Sequence, residues 1–383
     1  IAEAIVKGAS DIHIECGEEK TRIRYRIDGI LSERLTLPRN IHNELISRIK
    51  ILSHLKLDER RKPQDGRFKI EYGGKRIDLR VSIIPTVFGE KVVIRLLKDQ
   101  GTVLDFQKLG FSGIALRRVE EAVKSVNGIV LVTGPTGSGK TVTLATALGK
   151  INKVGINITT LEDPVEIRIP GVNQTQVNAE VGLTFASGLR SILRQDPNVV
   201  MVGEIRDSET AELAIHAALT GHLVLSTLHT NSAAGALPRM LDMGCEAYLL
   251  SSTINYIIAQ RLARRICPSC VVKEEAASEV LDDFRSVLRN YFPEDKIKDG
   301  KLFLSRGNGC EACGKTGYTG RLGIFEALAM SDNISKLVLE HAPEAEIAKQ
   351  AISEGMVTLL QDGYLKALDG LTTLEEVMRV ARE

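Results

Sequence analysis

Gly128-Ile-Val-Leu-Val-Thr133 runs without a break into Gly134-Pro-Thr-Gly-Ser-Gly-Lys-Thr141, and these two segments decide the fold. The first is a short, continuously apolar run of the kind buried on both faces of a parallel sheet. The second matches GxxxxGK[ST] and leads into a helical stretch rich in Thr, Leu and Ala. Strand, glycine-rich turn, helix is the context a phosphate loop requires. Glycines let backbone N–H groups close around phosphate oxygens, and the helix start adds its positive end. The expected ligand residues are Gly134, Pro135, Thr136, Gly137, Ser138, Gly139, Lys140, Thr141 and Val142. Lys140 would reach β and γ phosphates and Thr141 would offer its hydroxyl to Mg²⁺, so ATP with Mg²⁺ is the expected ligand. The competing reading, a glycine-rich turn that binds nothing, ignores the flanking strand and helix.

Similar apolar runs recur at Ile156–Leu161, Val199–Val202 and Leu223–Leu228, with helical stretches between them at about Phe185–Arg194 and Ser208–Leu219. The alternation implies a doubly wound α/β core, in which ligands lie at the carboxyl ends of the strands. Glu162 and Asp163 end one run, in Thr159-Thr-Leu-Glu-Asp-Pro-Val-Glu166, and Glu204 ends another, in Asn198-Val-Val-Met-Val-Gly-Glu-Ile-Arg-Asp207. The second segment resembles a Walker B strand with Gly203 in place of the usual Asp, which leaves Glu204 as the metal-side carboxylate. Alone, each acid would read as a capping or solvated residue; their shared position after apolar strands favours function. Gly221-His-Leu-Val-Leu-Ser-Thr-Leu-His-Thr-Asn231 puts His222 and His229 on either side of a fourth strand. A lone histidine is more often a satisfied core residue, but His229, at the carboxyl end, is the better placed to sense a γ-phosphate or a carboxylate.

Further out, residues 1–98 read as a small α+β domain. Strands are expected at Ser10–Glu15, Thr21–Ile27, Arg76–Ile83 and Glu90–Leu97, with a turn at Asp28-Gly29 and a helix from about Arg39 to Leu55. Residues 99–112 read as a linker, 113–265 as the core, 266–320 as a cysteine-bearing element and 321–383 as a helical region whose last helix opens on a Thr373-Leu-Glu-Glu376 capping box. Ile1, Ala4 and Ile5 already mark one helix face, which suggests a fragment cut near a domain start.

The 383 residues are 43% hydrophobic and 26% charged, values that fit neither a disordered chain nor a membrane bundle. No uninterrupted apolar stretch is long enough to span a bilayer. The net charge of +1 hides an asymmetry: residues 1–100 carry 21 Lys and Arg against 15 Asp and Glu, a net +6, leaving 29 against 34, a net −5. Such halves suit contact with each other or with a charged ligand. Cys267-x₂-Cys270 and Cys310-x₂-Cys313 supply four thiolates for a structural Zn²⁺, although the 39 residues between the pairs exceed the usual spacing. A redox CxxC is the rival reading; Cys16 and Cys245 read as buried small apolar residues.

Taken together, GPTGSGKT, TTLEDPVE, VGEIRD and TGHLVLSTLHTN resemble the Walker A, Asp, atypical Walker B and His boxes of the secretion ATPase superfamily, and more narrowly of the type II secretion and type IV pilus assembly ATPases. The resemblance runs from Gly8-Ala-Ser-Asp-Ile-His-Ile-Glu15 to Glu375-Glu-Val-Met378. It implies a PAS-like N-terminal domain joined to a RecA-like core, a homo-hexamer with nucleotide between the two domains, and ATP hydrolysis. Glu162 would be the catalytic glutamate, Glu204 the Walker B glutamate, and Arg80 and Arg95 the phosphate-reaching arginines. Arg190, Arg194 and Arg206 are candidate inter-subunit contacts and Arg321 a candidate nucleotide contact. The tetracysteine element points to assembly rather than retraction. A cytoplasmic motor at the inner membrane is implied, acting on a platform protein and a membrane recruiting protein, with no nucleic acid. The alternatives are a RecA-like nucleic-acid translocase, disfavoured by 4% aromatic residues and no Trp, a DNA-uptake pseudopilus motor, and a nucleotide-binding scaffold without turnover.

Overall fold

A computed structural model describes residues 1–98 and 105–381, and the chain divides into two compact units, Ile1–Gln100 and Gly101–Glu383. In the first, β1 (Asp11–Cys16), β2 (Lys20–Ile27), β3 (Ile30–Pro38), β4 (Gln64–Tyr72), β5 (Lys75–Thr86) and β6 (Gly89–Lys98) form an antiparallel sheet of order β3-β2-β1-β6-β5-β4. Period-two alternation buries Ile12, Ile14, Ile23, Tyr25, Leu79, Val81, Ile83, Val92 and Ile94. The helices α1 (Ala2–Val6) and α2 (His42–Leu52) add Ala4, Ile46 and Ile49 to this core. The expected helix from Arg39 to Leu55 is shorter, because Arg39–Ile41 after Pro38 forms a 3₁₀ turn and Ile41 stays exposed. Neither β3 nor β4 was expected. Both are edge strands that face solvent over most of their length; β3 shows little alternation, and β4 alternates but buries only Phe68.

The second unit opens with α3 (Phe106–Leu109) and α4 (Gly113–Ala122). Of the expected linker, residues 99–104 lie outside the described residues. The remainder is not a spacer: Phe106 and Phe111 are buried, and Phe111 stacks on Phe325 with ring centroids 3.4 Å apart. The sheet contains β7 (Gly128–Thr133), β8 (Ile158–Glu162), β9 (Asn173–Gln176), β10 (Val199–Val202), β11 (Leu223–Leu228) and β12 (Ile254–Ile266). These six are parallel, and the order β16-β12-β7-β11-β10-β8-β9 adds one antiparallel edge strand, β16 (Tyr318–Ala329). From β7 the chain crosses through α5 (Lys140–Ile151) to β8, past two positions that β10 and β11 then fill after α6 (Phe185–Ile192) and α7 (Ser208–Leu219). The helices α8 (Ala236–Asp242) and α9 (Ala247–Thr253) lead to β12. This is a RecA-like core carrying a small N-terminal α+β unit, an α/β architecture.

Between β12 and β16 lie α10 (Ser278–Leu288) and a small sheet of β13 (Val271–Glu275), β14 (Ile297–Lys298) and β15 (Lys301–Gly307). The chain ends in α11 (Asp332–Leu339), α12 (Glu344–Ser353), α13 (Leu359–Leu368) and α14 (Leu374–Ala381). The segment expected to be helical from residue 321 thus begins with a central-sheet strand. β16 is buried on both faces from Leu322 to Leu328, Glu326 included, which leaves no period to read. Half of the expected capping box is present: Thr373 Oγ1 accepts the Glu376 N–H at 3.3 Å, while the Glu376 carboxylate is held by Arg264 and Arg379 instead. Among the described residues, no helix is long and apolar enough to cross a membrane.

Candidate functional site at the carboxyl edge of the parallel sheet

The loop after β7 is built for close backbone approach. Gly134, Gly137 and Gly139 all have positive φ, between 82° and 146°. A Cβ at Gly134 would lie 2.5 Å from Gln260 O, and one at Gly139 would lie 2.8 Å from Gln260 Nε2, so β12 presses against the loop from below. Gln260 is itself fixed, its Oε1 accepting from Thr143 in α5 at 2.7 Å. Lys140 Nζ folds back onto Gly134 O and Pro135 O at 2.7 and 3.1 Å. Burial holds its ammonium down to about 8, Arg261 pushes the same way and Glu204 opposes both. Ser138 Oγ is buried in the loop and has no partner among the described residues. Left-handed glycines, an orphaned hydroxyl and a lysine satisfied only by its own loop are the donor set of a phosphate cradle, and the residues fit ATP. Thr141 and Val142, half-buried in the first turn of α5, complete it.

Two carboxylates stand at the same carboxyl edge of the sheet. Glu204 follows β10, and its Oε1 lies 2.5 Å from Arg206 and its Oε2 3.3 Å from His229 Nε2. Ser226 and Thr227 of β11 donate to Val202 O and Gly203 O at 2.8 Å, which fixes the strand end that carries it. Glu162, the last residue of β8, is buried, and its Oε1 accepts from Thr160 at 2.6 Å and from Gln174 at 2.9 Å. Burial raises its carboxyl above the usual range against these two hydrogen bonds. Gly203 explains how the strand ends that carry the two acids come close. Its N–H bonds Leu161 O at 2.8 Å, and a Cβ there would sit 3.3 Å from that oxygen and 3.4 Å from Glu162 Cα.

The sequence missed a tie between the loops. Thr133, the last residue of β7, donates to Thr230 O at 3.0 Å and accepts the Thr230 N–H at 2.9 Å, joining the phosphate loop to the residue after His229. Arg261 likewise donates to Asn231 O at 2.9 Å. A threonine closing an apolar strand and a Gln260-Arg261 pair inside one were the available signals.

Other candidates fall outside this group. His222 lies at the amino end of β11 and contacts Ala217 O at 2.8 Å, closing α7. Arg190 pairs with Glu209, Arg194 donates to Arg190 O at 3.0 Å, and Arg321 is exposed on β16. In the first unit, Arg95 donates to buried Asp11 at 3.1 Å. Half-buried Arg80 lies opposite both Arg95 and Arg67 in register, so three guanidinium-bearing positions share one row of the sheet.

The paired cysteines meet. The four sulfurs of Cys267, Cys270, Cys310 and Cys313 all lie within 4.8 Å of one another, and adjacent ones are 3.7 to 3.9 Å apart. Zn–S bonds of about 2.3 Å in a tetrahedron require edges of about 3.8 Å. Cys310 N and Gly317 N donate to Cys313 Sγ at 3.1 and 3.2 Å and hold that thiol down to about 6, whereas burial pushes Cys270 up to about 12. Four thiols sharing one centre cannot all ionise without a cation, so the set fits structural Zn²⁺. Cys245 is buried, which pushes its thiol to about 11; Cys16 is half-buried and donates to Phe88 O at 3.1 Å.

A family model described as "Type II/IV secretion system protein" matches residues 1–379, and the chain belongs to that family. It is 49% identical over 379 residues to the type IV pilus assembly ATPase PilB of Myxococcus xanthus, covering 99% of this chain and 66% of that protein. It is 48% identical over 383 residues to the type II secretion system protein E of Pseudomonas aeruginosa, covering 100% and 74%. The chain thus spans about two thirds to three quarters of the length of these relatives. Among solved structures, the pilus retraction motor PilT with bound ADP superposes at a TM-score of 0.65 with 29% identity over 98% of this chain and 94% of that one. The Legionella pneumophila ATPase DotB superposes at 0.69 with 22% identity over 99% and 92%, a likeness of fold.

Proposed function

We propose that this member of the type II/IV secretion family is an ATP-hydrolysing motor, acting as a homo-hexamer in the cytoplasm at the inner membrane to drive assembly of a pilus or secretion pseudopilus. The observation that carries the reading is the gathering of the Lys140 loop, Glu162, Glu204 and His229 at the carboxyl ends of four parallel strands. Relatives named for pilus assembly and for secretion match at 49% and 48% identity, so the reading covers both machines. A platform protein and a recruiting protein of the membrane are the proposed partners, and Zn²⁺ on the four cysteines staples the element between β12 and β16.

Mg-ATP supplies a transferable phosphoryl group and a Lewis-acidic cation when bound. Loop N–H groups and Ser138 take phosphate oxygens. Lys140 would exchange the carbonyls of Gly134 and Pro135 for phosphate, and Thr141 and Glu204 would serve the metal side. Glu162, whose carboxyl burial raises above the usual range, is suited as a carboxylate to align water and accept its proton. His229 reports on Glu204 across their 3.3 Å contact. The resemblance assigns Arg80 and Arg95 to the phosphates, where guanidinium spreads transition-state charge. Glu162→Gln and Glu204→Gln test the site. Each is expected to keep fluorescent ATP-analogue binding within a few-fold and to lower phosphate release at least about 100-fold. Full turnover in either variant would refute the assignment of that carboxylate.

A further inference from the structure

We infer that Gln174 is the positioning residue that aims the Glu162 carboxylate at its water, by holding one oxygen and leaving the other to react. The inference rests on the hydrolytic reading above. β9 pairs in parallel with β8 so that Gln174 lies opposite Thr160, two residues before Glu162 and on the same side of the strand. Thr160 Oγ1 and Gln174 Nε2 both donate to Glu162 Oε1, at 2.6 and 2.9 Å, while Oε2 accepts no hydrogen bond among the described residues. The Gln174 amide cannot turn over without loss. Its Nε2 also donates to Ile167 O at 2.9 Å and its Oε1 accepts the Ile169 N–H at 2.9 Å. A flip would set the amide oxygen against both the Glu162 carboxylate and the Ile167 carbonyl, and the amide N–H groups against the Ile169 N–H. The loop between β8 and β9 therefore fixes the amide, and the amide fixes the acid.

Two donors on one oxygen also favour the carboxylate over the acid, against the burial that raises it. The titratable groups around Glu162 are few. Asp163 and Glu166 lie on its own loop, and Glu166 pushes it further up. Glu204 after β10 is engaged by Arg206 and His229, Arg190 on α6 is engaged by Glu209, and β9 contributes none. Removing a donor must raise the Glu162 carboxyl, so the acidic limb of the rate profile moves to higher pH.

The experiment measures kcat and KM for Mg-ATP from pH 5.5 to 9 for the wild-type chain, Gln174→Leu, Gln174→Met and Thr160→Val. For each variant we expect the acidic limb to rise by about one pH unit, kcat at a pH below that limb to fall by up to about tenfold, KM to change less than about twofold, and the rate to recover as pH rises. A merely structural role would lower kcat at every pH alike or raise KM. Either pattern, or an unmoved acidic limb, overturns the inference. If the Gln174 variants do not fold, Thr160→Val, which removes the other donor from the same oxygen, decides it by the same shift. A wild-type chain without turnover, or a Glu162→Gln variant with full turnover, would defeat the functional reading itself and is distinguishable from these outcomes.

Discussion

At the residue scale, the phosphate-loop lysine has a measurable signature. With its ammonium held down to about 8, Lys140 is about half neutral at pH 8, and a phosphate beside it must raise it. ATP binding is therefore expected to take up close to half a proton at pH 8, and affinity to fall as pH rises from 7 to 9. Calorimetric titration in buffers of different ionisation heat reads the first directly; binding with no proton uptake would contradict the account. Gly203, where Asp is usual, is a contact device rather than a lost ligand. A methyl group there crowds Leu161 O and Glu162 Cα, so Gly203→Ala should displace Glu162 and lower kcat about tenfold without preventing nucleotide binding. The acids and the loop were legible because apolar strands with polar ends announce themselves. Thr160, Gln174 and Thr230 were not singled out, since their importance lies in which oxygen they touch.

At the scale of elements, β7, β8, β10 and β11 could be read from continuous apolar runs; the all-polar β9 could not, and neither could β12 and β16. Both are long and buried on both faces, and β12 carries Gln260 and Arg261, which break the apolar run at the point where it serves the loop. Edge strands β3 and β4 escaped for the opposite reason, being largely solvated, with a single buried residue, Phe68, between them. Glu376 shows a capping signal put to other use. It holds α14 to β12 through Arg264 N at 3.0 Å and the Arg264 and Arg379 guanidiniums. Burial pushes its carboxyl up, but those partners outweigh it and hold it at about 2. Its contribution is present above the unfolded carboxylate range and is lost as pH falls from about 4.5 towards 2. Glu376→Gln should therefore cost about 2 kcal/mol at pH 7 and nearly nothing near pH 2, read by denaturant melts. The tetracysteine element should hold about one Zn²⁺ per chain. A strong chelator is expected to release that ion and loosen the β13–β15 region to proteolysis; metal analysis showing none, with four titratable thiols, would contradict it.

At the scale of the molecule, the +1 total conceals opposite charge balances in the two units. The +6 part lies in a sheet with Arg67, Arg80 and Arg95 in one row, and the −5 part contains the phosphate loop and both carboxylates. The domain classes were legible because composition and periodicity change between them, while the role of residues 105–112 was not, because two buried phenylalanines among glycines read as loop. A ring of this chain should sediment at six times 41.9 kDa with nucleotide present; a monomer under those conditions would contradict the hexamer. The most direct test of the central claim is steady-state phosphate release from Mg-ATP by the purified chain and by Lys140→Ala. The account predicts turnover by the wild-type chain and a loss of at least about 100-fold in the variant. Equal turnover in the two, or none in the wild-type chain, would contradict it.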